Sequence, residues 1–321
     1  MRKRTKIWLV IASSLVLAGC IIFGGLMIVL KWDFTKFETV KYETNEYEII
    51  DNFSNISIET DTADIIFALS DDGKCKVKCY EERKANHSVT VQDDTLVINI
   101  INKKSWYDYI GINFGSPKIT VYLPKAEYTS LLINESTGDI KIPKEFKMSS
   151  VDISLSTGDV DFYAVASEYV KIKTSTGNIR MDNTSVGAVD LTVSTGEITV
   201  SNVICDGDTN IKVSTGRTKL TDIKCKNLTS SGSTGNISLN NVVALEKFSI
   251  KRSTGDVRFN SSDAAEIFVK TDTGEVVGSL LTDKVFITHT DTGRVDVPKT
   301  VSGGRCEITS DTGDIKINII S

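Results

Sequence analysis

Apolar and polar residues alternate along residues 131–321 in a pattern that repeats around a fixed tripeptide. Each repeat carries Ser-Thr-Gly or Asp-Thr-Gly, and successive glycines are 19 or 20 residues apart. A fixed period of this length is typical of repeat proteins. A degenerate eleventh copy is predicted at residues 62–65. The ten turn glycines are Gly138, Gly158, Gly177, Gly196, Gly216, Gly235, Gly255, Gly274, Gly293 and Gly313.

The spacing within each repeat predicts strands. The position two residues after the glycine is Val or Ile in nine of the ten copies, whereas intervening residues such as Asp152, Ser154 and Lys171 are polar. Alternation of this kind predicts two short, half-buried strands on either side of a glycine turn. Stacking the copies at ~4.8 Å turns the apolar positions into continuous ladders. We therefore expect an all-β, single-chain parallel β-solenoid of about ten coils, right-handed by the usual crossover preference.

The turn itself offers three candidate chemistries beside a structural role. Asp-Thr-Gly at Asp272, Asp291 and Asp311 matches the aspartic-protease tripeptide, but that chemistry needs two carboxylates sharing a proton. Acids after the glycines provide oxygen ligands of the kind Ca²⁺ takes, although Arg217 and Arg294 interrupt them. The Thr column resembles an ice- or polymer-binding surface. We expect a solvated structural corner in which glycine takes positive φ, with no metal or cofactor.

The N-terminal segment predicts a membrane location. Residues 1–6 are basic, and residues 7–30 contain no charge. Such a run forms ~36 Å of helix, enough to cross a hydrocarbon core of ~30 Å, and the flanking cations keep the N-terminus in the cytoplasm. An alternative is a lipoprotein-type signal, since Leu17-Ala-Gly-Cys20 resembles a lipobox with Cys20 as the lipidated residue. Both alternatives put the body outside the cell membrane.

The organisation along the chain predicts four segments. Residues 1–6 form a cytoplasmic basic segment, 7–30 the transmembrane anchor, 31–130 degenerate β coils with an insertion or cap, and 131–321 the regular solenoid. The chain stops directly after a strand-like run. We expect that the last coil has a bare edge, which permits a homodimer through the C-terminal coil.

An insertion between residues 102 and 116 interrupts the repeat pattern and concentrates aromatic residues: Trp106, Tyr107, Tyr109 and Phe114. Exposed aromatic side chains mark recognition of sugars, lipid interfaces or proteins. Alternatively, these rings plug the open end of the solenoid.

Charge and composition exclude further function classes. The chain has 37 Lys and Arg against 42 Asp and Glu, and residues 1–31 hold five of the cations but none of the acids. The acidic body argues against a nucleic-acid partner. Two histidines leave little for metal sites or histidine-based catalysis. Cys205 and Cys225 fall nine residues after their glycines, so they stack as a disulfide or as two buried thiols.

The motifs resemble a known family. The resemblance rests on residues 119–124, 131–133 and 136–140 with their later copies, and it covers roughly residues 40–321. The family is the bacterial putative-adhesin family of β-strand repeat proteins (domain of unknown function 4097). The resemblance implies an N-terminal membrane anchor, a link to envelope stress in some members, and no established catalytic residues.

Together these expectations predict a membrane-anchored, extracytoplasmic β-solenoid that is not an enzyme. Its role would be binding or scaffolding at the bacterial cell envelope, with a wall polymer or an envelope protein as partner. One alternative is a polysaccharide-acting β-helix enzyme, although the clustered acids that such enzymes use are not visible. Another is a sensor subunit of an envelope signalling complex, which would need a partner helix in the membrane.

Overall fold

The chain begins with one long helix and continues as β-structure. A computed structural model describes residues 3–109, 113 and 115–320. Helix α1 (Lys3–Val29) is followed by a 3-10 turn at Phe34–Phe37, and a second 3-10 turn lies at Trp106–Tyr109. Over Thr5–Val29, α1 is long and apolar enough to cross a membrane, a property that anchors share with signal sequences. Cys20 lies exposed within this helix.

The other regular elements of the described residues are β-strands. In chain order they are β1 (Tyr42–Ile49), β2 (Asn55–Thr62), β3 (Asp64–Leu69), β4 (Cys75–Glu82), β5 (Ala85–Gln92), β6 (Thr95–Asn102), β7 (Lys118–Leu123), β8 (Glu127–Thr137), β9 (Ile140–Ile142), β10 (Lys147–Thr157), β11 (Val160–Phe162), β12 (Val165–Thr176), β13 (Ile179–Val186), β14 (Val189–Cys205), β15 (Asp208–Thr234), β16 (Ile237–Thr254), β17 (Val257–Thr273), β18 (Val276–Leu280), β19 (Lys284–Thr292), β20 (Val295–Asp296), β21 (Gly304–Thr312) and β22 (Ile315–Ile319).

Parallel stacking in register builds the solenoid. Residues at equivalent distances from the turn glycine pair between neighbouring coils, as Ile133 does with Ile153 and Ile153 with Ile172. Their inward-facing side chains are fully buried in one continuous core, together with Ile140 and Val160 of the second strand. The predicted all-β solenoid of about ten turns is confirmed.

The strands of the central coils are longer than the alternation alone predicts. β15 spans 27 residues because the ladder with β14 continues through the corner, where Gly196 pairs with Gly216. In the first coils the ladder is instead interrupted at the glycine, so that β8 and β9 remain separate strands.

The turn glycines adopt the backbone conformation expected from the sequence. Nine of the ten have positive φ, and Gly293 on the outermost coil is the exception. The degenerate copy at residues 62–65 also forms a turn, since Thr62 pairs with Thr137 and the Ala63 N–H donates to the Thr137 carbonyl at 3.1 Å. The eleventh copy is therefore confirmed as a coil stacked against the first regular one.

A second corner, which the sequence analysis missed, lies six residues after the glycine. Five non-glycine residues there have positive φ, a conformation that Asn and Asp tolerate better than most side chains. The signal was present in the recurrence of short polar residues at that position. The five residues are Asn183, Asn202, Asp222, Asn241 and Ser261.

The first coil of the sequence is not at the end of the stack. β2 lies between β8 and β6, and β3 lies between β9 and β7, so the coil of β6 and β7 is outermost. β4 then pairs antiparallel with β7, β1 with β4, and β5 with β6. Half-buried Tyr47, Phe53 and Val91 pack against the core at this end. Antiparallel strands therefore close the N-terminal end.

The same inversion occurs at the C-terminal end. β21 lies between β17 and β19, and β22 lies between β18 and β20. The expectation of a bare edge on the last coil of the sequence is wrong, because that coil is inserted between the two coils that precede it in the chain. A homodimer through the C-terminal coil would lack a free strand edge there. The open edge belongs to β19 and β20.

Candidate functional site

The candidate site is the aromatic insertion, residues 103–116 between β6 and β7. The side chains of Trp106 and Tyr107 are 77% and 57% exposed, and their rings meet edge to face with centroids 6.0 Å apart. These two rings therefore do not plug the solenoid. The side chain of Tyr109 and the whole of Phe114, the other two predicted contact residues, lie outside the described residues.

Polar contacts of Asp108 and Lys84 hold the two aromatic side chains in place. Asp108 accepts the Ser105 backbone N–H at 2.9 Å and forms an ion pair with Lys84 at 2.5 Å. This ion pair holds the pKa of Asp108 below its usual value. The Lys84 ammonium also lies 5.7 Å from the centroid of the Tyr107 ring, within the range of a cation–π contact. The exposed rings are thus fixed to the β4–β5 turn.

A cavity of about 330 Å³ opens beside Tyr107. Its ionisable lining consists of four cations and two carboxylates, and Thr39 and Val40 from the segment before β1 complete it. Three of the cations are ion-paired, Lys84 with Asp108, Lys104 with Glu82 at 2.5 Å, and Arg83 with Glu43 at 3.1 Å, so the excess of positive charge at this cavity is small. The charged residues are Lys41, Arg83, Lys84, Lys104, Glu82 and Asp108.

Tyr42 connects the aromatic insertion to the start of the solenoid. Its hydroxyl donates to Asn113 Oδ1 at 2.8 Å, and its ring stacks on Tyr80 with centroids 5.0 Å apart. A Cβ at Gly115 would run into this ring, at 2.8 Å from its Cδ2 atom and closer to two others. The insertion is therefore packed against β1, which directly follows the N-terminal helix and its 3-10 turn.

The acidic positions after the turn glycines form a hydrogen-bonded ladder. The Asp139 side chain accepts the Asp159 backbone N–H at 2.8 Å, and the Asp159 side chain accepts that of Asn178 at 2.7 Å. The Asn178 amide oxygen accepts the Glu197 N–H at 2.9 Å in turn. Their oxygens thus satisfy the backbone of the next coil, which explains why Asp and Asn recur there.

We expect that Asp159→Ala lowers the free energy of unfolding by about 1–2 kcal/mol, because the Asn178 N–H and amide lose their acceptor. Asp159→Asn keeps an acceptor oxygen and should cost about 0.5 kcal/mol or less. Urea unfolding followed by circular dichroism measures both. Asp190→Ala, at an exposed aspartate on β14, is the control. A Ca²⁺-dependent rise in melting temperature that Asp159→Ala abolishes would contradict the ladder's purely structural role.

The three Asp-Thr-Gly turns occupy this same corner on adjacent coils. Thr312 pairs with Thr273 on one side and with Thr292 on the other, so Asp272, Asp311 and Asp291 follow one another along one edge of the stack. This arrangement lacks the two facing lobes of an aspartic protease.

Sequence comparison then identifies the family. The sequence model of the family described as Toastrack DUF4097 matches residues 53–209 and again residues 204–320. The chain belongs to the Toastrack family. This membership confirms the resemblance found in the repeat motif. No curated protein matches this Toastrack chain.

Three solved structures of bacterial proteins are similar to this chain. A "putative lipid binding protein" of Parabacteroides distasonis is 15% identical with a TM-score of 0.49, and covers 88% of this chain and 98% of its own. A "putative adhesin" of Parabacteroides merdae is 14% identical with a TM-score of 0.45, covering 87% and 96%. One of Bacteroides fragilis is 16% identical with a TM-score of 0.37, covering 87% and 97%. Identities this low transfer no ligand to this chain.

A buried polar network near the N-terminal end was missed by the sequence analysis. His87 Nδ1 lies 2.6 Å from Glu81 Oε2, and its Nε2 lies 2.8 Å from the Thr60 hydroxyl. Asn45 donates to the other Glu81 oxygen at 2.7 Å. Cys79 brings a third metal-type ligand atom within 4.8 Å of the pair. Both imidazole nitrogens and both carboxylate oxygens are already hydrogen-bonded, so the network stabilises the packing of β2, β4 and β5.

The stacked cysteines of the central coils are free thiols in the structure. Cys205 and Cys225 are both buried, and burial raises the pKa of Cys225 to about 12. A thiol with so high a pKa is a poor nucleophile at neutral pH.

Proposed function

We propose that this Toastrack chain is a membrane-anchored, extracytoplasmic protein that binds or scaffolds at the bacterial cell envelope without catalysing a reaction. In this proposal α1 is the anchor, residues 1–6 stay in the cytoplasm, and the solenoid lies outside. Lipidation at Cys20 in place of a spanning helix would leave the solenoid on the same side. The apolar length of α1 and the family membership support the proposal.

The contact site in this proposal is the aromatic insertion, and the ligand class is an anionic wall polymer. The observation that carries it is the exposed Trp106–Tyr107 pair beside a cavity lined by four cations and two carboxylates. Exposed aromatic rings stack on sugar rings, and lysine and arginine side chains bind phosphate groups. The repeats offer a contrasting surface, since their corner oxygens are engaged in the ladder.

Co-sedimentation of the full chain, kept in mild detergent, with isolated cell-wall sacculi tests the proposal. We expect retention that decreases when teichoic acids are removed and when ionic strength rises, because a charged polymer binds through screened contacts. The double variant Trp106→Ala/Tyr107→Ala should lose most of the retention with an unchanged melting temperature, since both side chains are exposed.

Tyr169→Ala is the matched control, because Tyr169 is an exposed aromatic residue on the side of the repeats, 42% accessible. It should bind as the unmodified chain does. Equal retention of the double variant and the unmodified chain would refute the contact site. Retention that is unaffected by teichoic-acid removal would refute the ligand class.

A further inference from the structure

The open strand edge at the C-terminal end of the stack is formed largely by β19. β19 pairs with β21 on one side, and no strand of the described residues pairs with its other side. The run from Val285 to Thr290 contains no Asp, Glu, Lys or Arg and is rich in strand-forming side chains. Val285 and Ile287 are exposed on its outer face, Ile287 by 49%. Such an edge is a template for pairing with another chain.

The edge strand at the opposite end is protected. β1 carries Glu43, Glu46 and Glu48 within eight residues, and charged side chains are a common way to prevent edge pairing. The lysine of β19 does not protect its edge in this way. Lys284 is 2% exposed, and its ammonium lies 2.6 Å from Asp263 Oδ1. Its charge is buried inside the stack, whereas the β1 glutamates pair with cations at the surface, so Lys284 does not oppose the approach of a second strand.

The end of the hydrophobic core is open on the same side. Phe286 on β19, Val297 after β20 and Ile319 on β22 are only partly buried, although all three pack against the core. The end therefore offers backbone donors and acceptors together with an apolar cross-section. A partner that covers it must supply the same two features.

We propose that a second copy of this chain covers this end, with β19 pairing antiparallel to β19 of the partner about a two-fold axis. A two-fold axis perpendicular to the sheet pairs residues that face the same side, so the two cores become continuous. Phe286 and Thr288 then lie in the shared core, and Val285, Ile287 and His289 lie on the outer face. This interface corrects the expected dimer through the C-terminal coil and does not rest on the proposed function.

The full chain in detergent micelles provides the test, by sedimentation velocity at increasing protein concentration. We expect a dimer. Ile287→Lys should weaken it by on the order of tenfold, because antiparallel pairing brings the two new ammonium groups close together on the outer face of the joined sheet, where like charges repel. Ile204→Lys is the matched control, since Ile204 is an equally exposed isoleucine, 54% accessible, on the side of the repeats. It should leave the dimer intact.

Cysteine crosslinking gives a second measurement that does not depend on how Ile287→Lys folds. Single cysteines are introduced at residues 285–289 in a Cys20→Ser background, where the remaining native thiols are buried. The residue on the two-fold axis faces its own copy within disulfide range and should crosslink on mild oxidation. Cysteine at residue 204 should not. A monomer at all concentrations would overturn the proposal. So would a dimer whose dissociation constant is unchanged by Ile287→Lys and that gives no crosslink at residues 285–289.

Discussion

Gly216→Val is expected to destabilise the solenoid by about 4 kcal/mol or more. Gly216 has a φ of 138°, a conformation that L side chains rarely adopt, and a Cβ built there meets the Gly196 carbonyl oxygen of the preceding coil. Valine adds a branched side chain to a corner where two backbones are in contact. Relief would require opening the ladder between β14 and β15, in the middle of the stack.

Thr215→Val is the matched control for this prediction, because Thr215 is the exposed residue next to the same turn. Its substitution should change the free energy of unfolding by about 0.5 kcal/mol or less. Thermal and urea unfolding followed by circular dichroism measure both variants. Equal destabilisation of the two would show that the corner tolerates a Cβ and would refute the steric argument.

Glu135→Gln is expected to remove a pH dependence from the stability of the chain. Glu135 faces the core of the first regular coil, with Oε1 accepting the Ala63 N–H at 3.1 Å and Oε2 buried without a hydrogen bond. Burial raises the pKa of its carboxyl from 4.5 to about 8. The folded chain therefore retains this proton over a range in which the unfolded chain releases it.

The sign follows from linkage. Between about pH 4.5 and pH 8 the folded state binds more protons, so the stability present below pH 4.5 is lost as pH rises towards 8. The loss amounts to at most on the order of 4–5 kcal/mol. Glu135→Gln should flatten this slope and stabilise the chain at pH 8. Glu145→Gln, at an exposed glutamate, is the control. A slope that is the same in the Glu135 variant and the unmodified chain would contradict a buried neutral carboxyl.

The regular part of the fold was predictable because each coil repeats the same local chemistry. A glycine with positive φ, apolar residues at two-residue spacing and an Asp or Asn after the glycine are all local signals. The degenerate turn at residues 62–65 could be found for the same reason: Asp64 still accepts the Asp139 backbone N–H, at 3.1 Å, as in the regular copies. Stacking of neighbours then follows from the need to bury each apolar face.

The order of the coils at the two ends could not be predicted, because the pairing positions are nearly equivalent between copies. Val269 on β17 pairs with Ile308 on β21, although Thr288 on β19 occupies the same repeat position. An apolar side chain at this position stacks better on Val269 than a threonine does. The periodicity of the sequence is the same for both candidate partners, so it does not predict that β17 pairs with β21 and not with β19.

Two polar residues inside the apolar core, far apart in sequence, are hydrogen-bonded to each other. Thr218 is the single break in the Val/Ile column, and Arg252 is a fully buried cation. Arg252 donates to the Thr218 hydroxyl at 2.9 Å and to the Val213 carbonyl at 2.7 Å. It crosses an intervening coil at Gly232, where a Cβ would meet the guanidinium. In the sequence, Thr218 and Arg252 each look like an isolated departure from the repeat pattern. The structure shows that the two residues are hydrogen-bonded to each other.

The candidate site was predictable in position but not in chemistry. The concentration of aromatic residues indicated the aromatic insertion, whereas the cationic cavity brings together the segment before β1, the β4–β5 turn and the insertion. These segments are distant in sequence, and the acidic composition of the whole body concealed the local charge. The Glu81–His87–Thr60 network was missed for the same reason, since it joins three strands.

Hydrogen–deuterium exchange of the full chain in detergent, with and without soluble anionic wall polymer, tests most directly where this protein binds. We expect slower exchange in residues 82–84 and 103–109 when polymer is present, with unchanged exchange at the turn corners of the repeats. Slower exchange along the Thr-Gly corners with no change in the aromatic insertion would contradict it, because the repeats rather than the insertion would then be the binding surface.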